Sequence, residues 1–144
     1  MKALSFYQPY AWAMMAGHID IDDRTWNTAY RGPVAIHASK TFEPNFYYYL
    51  KHILHLDVPD PHELRHGGIV AIGQLVDVLK PGQVTEVPPQ RRAHGGGHCH
   101  GLVFKDIYPV EFIPYKGSQM LFNVELAAEQ IKPLISPPDQ TSLF

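Results

Sequence analysis

The chain has 144 residues, with 12 Lys and Arg against 14 Asp and Glu, and a formal net charge of −2 when histidine is neutral. This length suits one domain with a buried core, and the single Cys99 excludes an internal disulfide. Because it has neither a long apolar run nor a charged start followed by an apolar segment, we expect a soluble, cytoplasmic protein without membrane contact. The charge balance excludes nucleic-acid binding through bulk charge, so any backbone contact needs a local basic patch.

The first half of the chain is predicted to alternate strands and helices. In chain order, the predicted elements are a strand over 2–6, a helix over 9–16, a strand over 33–38 and a helix over 43–56. Pro9 suits a first helical turn and Gly17 suits a helix stop. Side-chain alternation along the second strand puts His37 and Ser39 on one face.

The second half is predicted to be mostly strands separated by a long loop. The elements in order are a helical turn after Asp60, a central strand over 67–79, a loop over 80–101, strands over 102–107 and 110–113 around Pro109, and a last strand over 120–125. Gly73 inside the central strand favours a bend or bulge. We expect a single domain over residues 1–132 and a tail over 133–144.

Residues 22–40 are the most informative stretch of the sequence. Acids, planar cations and aromatic side chains precede an apolar strand, and polar side chains follow it: Asp22, Asp23, Arg24, Trp26, Tyr30, Arg31, then His37, Ser39 and Lys40. Polar groups at both ends of an apolar strand suggest a cleft for a polar, aromatic ligand. A nucleotide fits that description.

Several segments, in the expected order, resemble the ASCH (ASC-1 homology) family: residues 2–12, Gly17, 22–26, 30–32, 36–40, 73–77 and 116–122. The resemblance covers about residues 1–126. It implies an α+β, PUA-like fold, which is a partly open β-barrel of five or six strands flanked by helices, with a cleft beside the strand ends. It also implies RNA binding, and some members look like metal-independent ribonucleases or amidohydrolases acting on an acylated cytidine.

The sequence departs from the family pattern at two positions. Members that resemble the amidohydrolases carry Gly-x-Lys-Thr before the motif arginine, and this chain has Ile19 at the lysine position. An alkyl side chain cannot accept a proton, so the amidohydrolase reaction would need Lys40 to reach in from the neighbouring strand. Asp22 stands where many members have Glu, which shortens the reach of the carboxylate by one methylene.

The first functional hypothesis is a module that binds RNA, a nucleotide or a nucleoside. Its candidate ligand-binding residues are Tyr7, Gln8, Arg24, Trp26, Tyr30, Arg31, Lys116 and Ser118, together with Lys40. Arginine and lysine would meet phosphate, Trp26 and Tyr30 would stack on a base, and the Gln8 amide would read a base edge. Structural alternatives stay open: Arg24 can pair with an acid, Trp26 can pack in the core, and His37 can be a satisfied core histidine.

The second hypothesis is a small hydrolase that needs no cofactor. His37 or Lys40 would remove a proton, Arg24 would stabilise the transition-state charge, and Ser39 or Tyr7 would orient the phosphate. A third hypothesis is a protein partner that binds the aromatic residues 47–49.

The segment 94–100 carries three histidines and Cys99, which are possible zinc ligands. Its spacing is not a specific zinc signature, so we expect no metal and a flexible loop instead. Arg91 and Arg92, just before it, could form a basic lip for a nucleic-acid backbone.

Overall fold

A computed structural model describes residues 1–84, 88–92 and 98–135 of the chain. These residues form one six-stranded sheet with strand order β2-β5-β4-β3-β1-β6. The strands are β1 (Lys2–Gln8), β2 (Ile21–Arg24), β3 (Gly32–Phe42), β4 (Gly68–Leu79), β5 (His100–Pro114) and β6 (Phe122–Asn123). β1 and β3 run parallel, and the other neighbours are antiparallel. The sheet is mixed and not closed, which confirms the predicted α+β, partly open barrel.

Short helices accompany the sheet. They are α1 (Tyr10–Met15), α2 (Pro44–Tyr48) and α3 (Pro81–Val84); Tyr49–Ile53 forms a π-helical turn, and 3-10 turns lie at Pro61–Glu63, Pro89–Arg91 and Ala128–Gln130. Gly17 follows α1 with φ of +82°, a conformation that suits the glycine predicted as the helix stop. No helix in the described ranges is long and apolar enough to cross a membrane.

The sheet separates two hydrophobic clusters. Leu4 and Phe6 of β1 pack in the larger cluster with Trp12 of α1, whereas Ala3 packs in the smaller cluster with Tyr108 of β5. This division follows from the period of two along a strand. It places Ser5 of β1 on the same face as Ala3.

Most predicted elements are present, with different bounds. The register between β4 and β5 shifts between Ile72 and Gln74, which confirms an irregularity at Gly73. The strands predicted over 102–107 and 110–113 are one strand, β5, and the last strand is only two residues long. The helix predicted over 43–56 is a short α-helix followed by the π-helical turn.

β2 was not predicted, and the described residues after β4 include two short helical segments that were not predicted. The loop predicted over 80–101 contains α3 and the turn Pro89–Arg91, while 85–87 and 93–97 lie outside the described residues. At the start of the predicted tail, Pro133 bridges Val110 and the Leu134 amide donates to the Pro109 carbonyl at 3.0 Å. The rest of the tail, 136–144, also lies outside the described residues.

Candidate functional site

A cavity of about 880 Å³ lies near the end of β3 and beside the segment that joins β5 to β6. We call it the lysine cleft, and its lining residues are Ser5, His37, Ser39, Lys40, Gly67 and residues 114–119. Five sequence-predicted site residues therefore share one cavity: His37, Ser39, Lys40, Lys116 and Ser118.

Strand pairing explains how Ser5 and His37 meet in this cleft. In the parallel pairing of β1 with β3, Ser5 lies opposite His37. Both side chains are on the face of the smaller hydrophobic cluster, and the His37 ring makes an edge contact with Phe122 at 5.9 Å between centroids. Ser39 lies two residues further along β3, so alternation brings it to the same face.

His37 is buried, with 2 % of its surface exposed, and both of its ring nitrogens are hydrogen bonded. Nε2 lies 2.7 Å from the Tyr115 carbonyl oxygen, which can only accept, so Nε2 donates. In the neutral ring Nδ1 then carries the lone pair, and the Ser5 hydroxyl donates to it at 3.0 Å. His37 thereby joins β1, β3 and the 114–119 segment.

Lys40 and Lys116 supply the positive charge of the lysine cleft. Both side chains are exposed. Within residues 1–84, 88–92 and 98–135, neither ammonium group makes an ion pair. Gly117, which follows Lys116, approaches the sheet closely, since a Cβ atom there would lie 2.6 Å from Cε1 of His37.

A second cavity, of about 250 Å³, adjoins the lysine cleft at Ser5, which lines both. We call it the Arg24 cavity, and its lining residues are Ser5, Phe6, Tyr7, Tyr10, Asp22, Asp23 and Arg24. Arg24 donates from Nε to Asp22 Oδ2 at 2.5 Å and from Nη2 to the Ser5 carbonyl oxygen at 2.7 Å. Tyr7 is 52 % exposed, which leaves its ring available to a ligand.

Burial dominates the electrostatics of the Arg24 cavity. Desolvation raises the pKa of Asp22 to about 6, although the charge and hydrogen bond of Arg24 act in the opposite direction. Burial, together with the charges of Glu43 and Asp22, raises the pKa of Tyr10 to about 12. The cavity therefore combines buried carboxyl groups with one arginine.

The remaining predicted ligand-binding residues lie outside both cavities. The Gln8 amide is 2 % exposed, accepts from the Trp12 amide at 3.0 Å and donates to the Arg65 carbonyl at 2.8 Å, so it holds the start of α1. Trp26 and Tyr30 pack against the larger cluster. Arg31 precedes β3 and donates to the Tyr30 carbonyl, and the rise of a strand puts it about 30 Å from Lys40.

The two arginines predicted as a basic lip are bonded to other groups of the chain, and the predicted metal-binding segment is described only in part. Arg91 pairs with Asp20 at 2.9 Å, and Arg92 donates to the Val84 carbonyl at 2.8 Å. His94 lies outside the described residues, and Cys99 is buried. Three exposed side chains, Asp60, His62 and Glu63, have ligand atoms within 4.8 Å of one another.

Sequence reasoning missed Ser5, Tyr10 and Tyr115 as parts of these cavities. Ser5 stands in a predicted strand, where alternation indicates its face but not its partner. The contact of Tyr115 is made by its backbone carbonyl, for which the side chain gives no signal.

Comparison with known proteins links this geometry to a fold. No family model and no curated protein matches the sequence. Among solved structures, ASCH from Zymomonas mobilis is similar, with a TM-score of 0.58, 11 % identity and coverage of 90 % of this chain and 89 % of that one. A tyrosine-to-phenylalanine variant of ASCH from the same organism has a TM-score of 0.59 and 9 % identity, with coverage of 86 % of this chain and 89 % of that one. The chain therefore has an ASCH-like fold.

Proposed function

We propose that the chain binds a nucleotide or a short single-stranded RNA through phosphate contacts in the lysine cleft. The observation that supports this most is the pair of ammonium groups, Lys40 and Lys116, on one cavity without an ion pair in the described part of the chain. A protein of net charge −2 has no bulk attraction for phosphate, so a local pair of cations is what such binding needs.

The size and surroundings of the cleft support the same ligand class. A volume of about 880 Å³ lies within the range of cavities that hold small ligands. The adjoining Arg24 cavity offers the exposed Tyr7 ring as a stacking surface for a base. A ligand with an anionic part and a flat aromatic part would thus use both cavities.

The test is a salt titration of binding to a fluorescent single-stranded RNA, followed by anisotropy. Two phosphate contacts predict a slope of log affinity against log salt of about −1.4, and three predict about −2.1. Replacing Lys40 or Lys116 with Ala removes one contact, so each change lowers affinity about fivefold at 0.1 M salt and flattens the slope by about 0.7.

Lys105→Ala is the matched control, because Lys105 is exposed on β5 and lines neither cavity. It removes the same charge from the molecule and should leave the slope unchanged. Equal losses in all three variants would contradict a specific phosphate site, and so would binding that does not respond to salt.

A further inference from the structure

Ser5 lines both the lysine cleft and the Arg24 cavity, and its position is fixed from several sides. Its backbone carbonyl accepts from Arg24 Nη2 at 2.7 Å, and its Oγ donates to His37 Nδ1 at 3.0 Å. A Cβ atom on Gly117 would lie 2.9 Å from this Oγ, so only a glycine backbone fits there without displacing it. Ser5 is half-buried.

His37 has the geometry of a general base for this hydroxyl. Donation from Nε2 to the Tyr115 carbonyl fixes the tautomer, so the lone pair of Nδ1 faces Ser5. A nucleophile, a base within hydrogen-bond reach and a third group that orients the base together make an activated hydroxyl. We propose that Ser5 is a nucleophile activated by His37, and that it accepts the acyl group of small carboxylic esters carrying an anionic substituent.

The proposed reaction has two balanced steps. Ser5 Oγ attacks the carbonyl carbon while its proton passes to His37 Nδ1, the bond to the alcohol oxygen breaks, and the alcohol leaves with the proton from Nδ1. Water then attacks the acyl-serine, gives a proton to Nδ1 and releases the acid, and Ser5 Oγ recovers that proton. No oxidant or cofactor enters either step.

The charge of the lysine cleft decides the substrate class. Lys40 and Lys116 line the cavity that Ser5 adjoins, so they favour an anionic substituent and the negative oxygen of the tetrahedral intermediate. A cationic ester would meet two like charges there. This activity goes beyond the proposed RNA or nucleotide binding and does not depend on it.

The test is covalent labelling of the full chain with a fluorophosphonate probe, followed by peptide mapping by mass spectrometry. We expect one probe per chain, attached to Ser5, and no label in Ser5→Ala. Thr41→Ala removes an exposed hydroxyl of β3 outside both cavities and should label like the original chain. Absence of label, or a label on Ser39 or Ser118, would overturn the proposal.

A second measurement follows acylation by p-nitrophenyl acetate and by an analogue with a carboxylate on its acyl group. The anionic ester should react faster, and His37→Asn should lower the rate by about 10²-fold or more because an amide is not a base. If His37→Asn does not fold, peptide mapping of the original chain still tests whether Ser5 is the labelled nucleophile. RNA binding that persists in Ser5→Ala separates this proposal from the phosphate site.

Discussion

Replacing Asp22 with Asn tests whether burial or the Arg24 ion pair controls this carboxyl group. Burial raises its pKa from 3.8 to about 6 despite the contact with Arg24. The folded state therefore holds the proton more tightly than the unfolded state, so the contribution of Asp22 to stability is fully present below pH about 4 and is lost as pH rises through about 6. At 1.36 kcal/mol per pKa unit, a rise of about two units corresponds to about 3 kcal/mol.

The assay is urea unfolding of the original chain and of Asp22→Asn at several pH values between 4 and 7. Asn does not titrate, so the difference in unfolding free energy between the two proteins isolates the Asp22 carboxyl group. We expect the original chain to lose about 2 kcal/mol relative to the variant across this range, because part of the full change falls below pH 4. A difference that stays flat would show that the pair with Arg24 cancels desolvation, and one that moves in favour of the original chain as pH rises would show that the pair outweighs it.

Two further substitutions test the lysine cleft. Gly117→Ala should lower the unfolding free energy in urea by about 1–3 kcal/mol, because its Cβ would press on His37; Gly82→Ala, with nothing within 4 Å of its Cβ, should not destabilise. Lys40→Arg should keep most of the RNA affinity while Lys40→Ala loses it, since the guanidinium retains the charge. Equal losses in the two Lys40 variants, measured by anisotropy, would contradict a role as a fixed positive charge.

The sequence indicates the strands whose pattern is strong and misses those that depend on distant partners. β1, β3 and β4 have clear apolar patterns, and their positions are predicted to within a few residues. β2 covers only Ile21–Arg24, of which three residues are charged, and it exists because β5, some 80 residues later, pairs with it. Such pairing is tertiary context, which local propensity does not contain.

Pro109 shows why β5 was predicted as two strands. Proline donates no ladder hydrogen bond, so it normally ends a strand or marks a bulge. Here it faces Ala71 between two shifts of register in β4, where the ladder is already irregular. The strand continues past Pro109, because the missing donor falls in a short stretch of the ladder whose register is shifted on both sides.

The sequence likewise predicts some residues of the candidate site and misses the contacts that depend on distant partners. Alternation along β3 and the family resemblance pointed to His37, Ser39 and Lys40, and the fold brings them into one cavity with Lys116 and Ser118. The partner of His37 was not predictable, because it depends on the register of β1 against β3. Trp26 and Arg31 are motif residues that the fold places outside both cavities.

The pairing of β6 with β1 has a consequence for the order of assembly. Lys2 pairs with Asn123 and Ala3 with Phe122, so a contact at the start of the sheet depends on residues about 120 positions later. Contacts of such sequence separation form slowly because a long loop must close first. Residues 114–119, which line the lysine cleft, lie between β5 and β6, so a growing chain completes this cleft among the last parts of the fold. A ligand that occupies the cleft would accordingly stabilise the final stage of assembly by mass action.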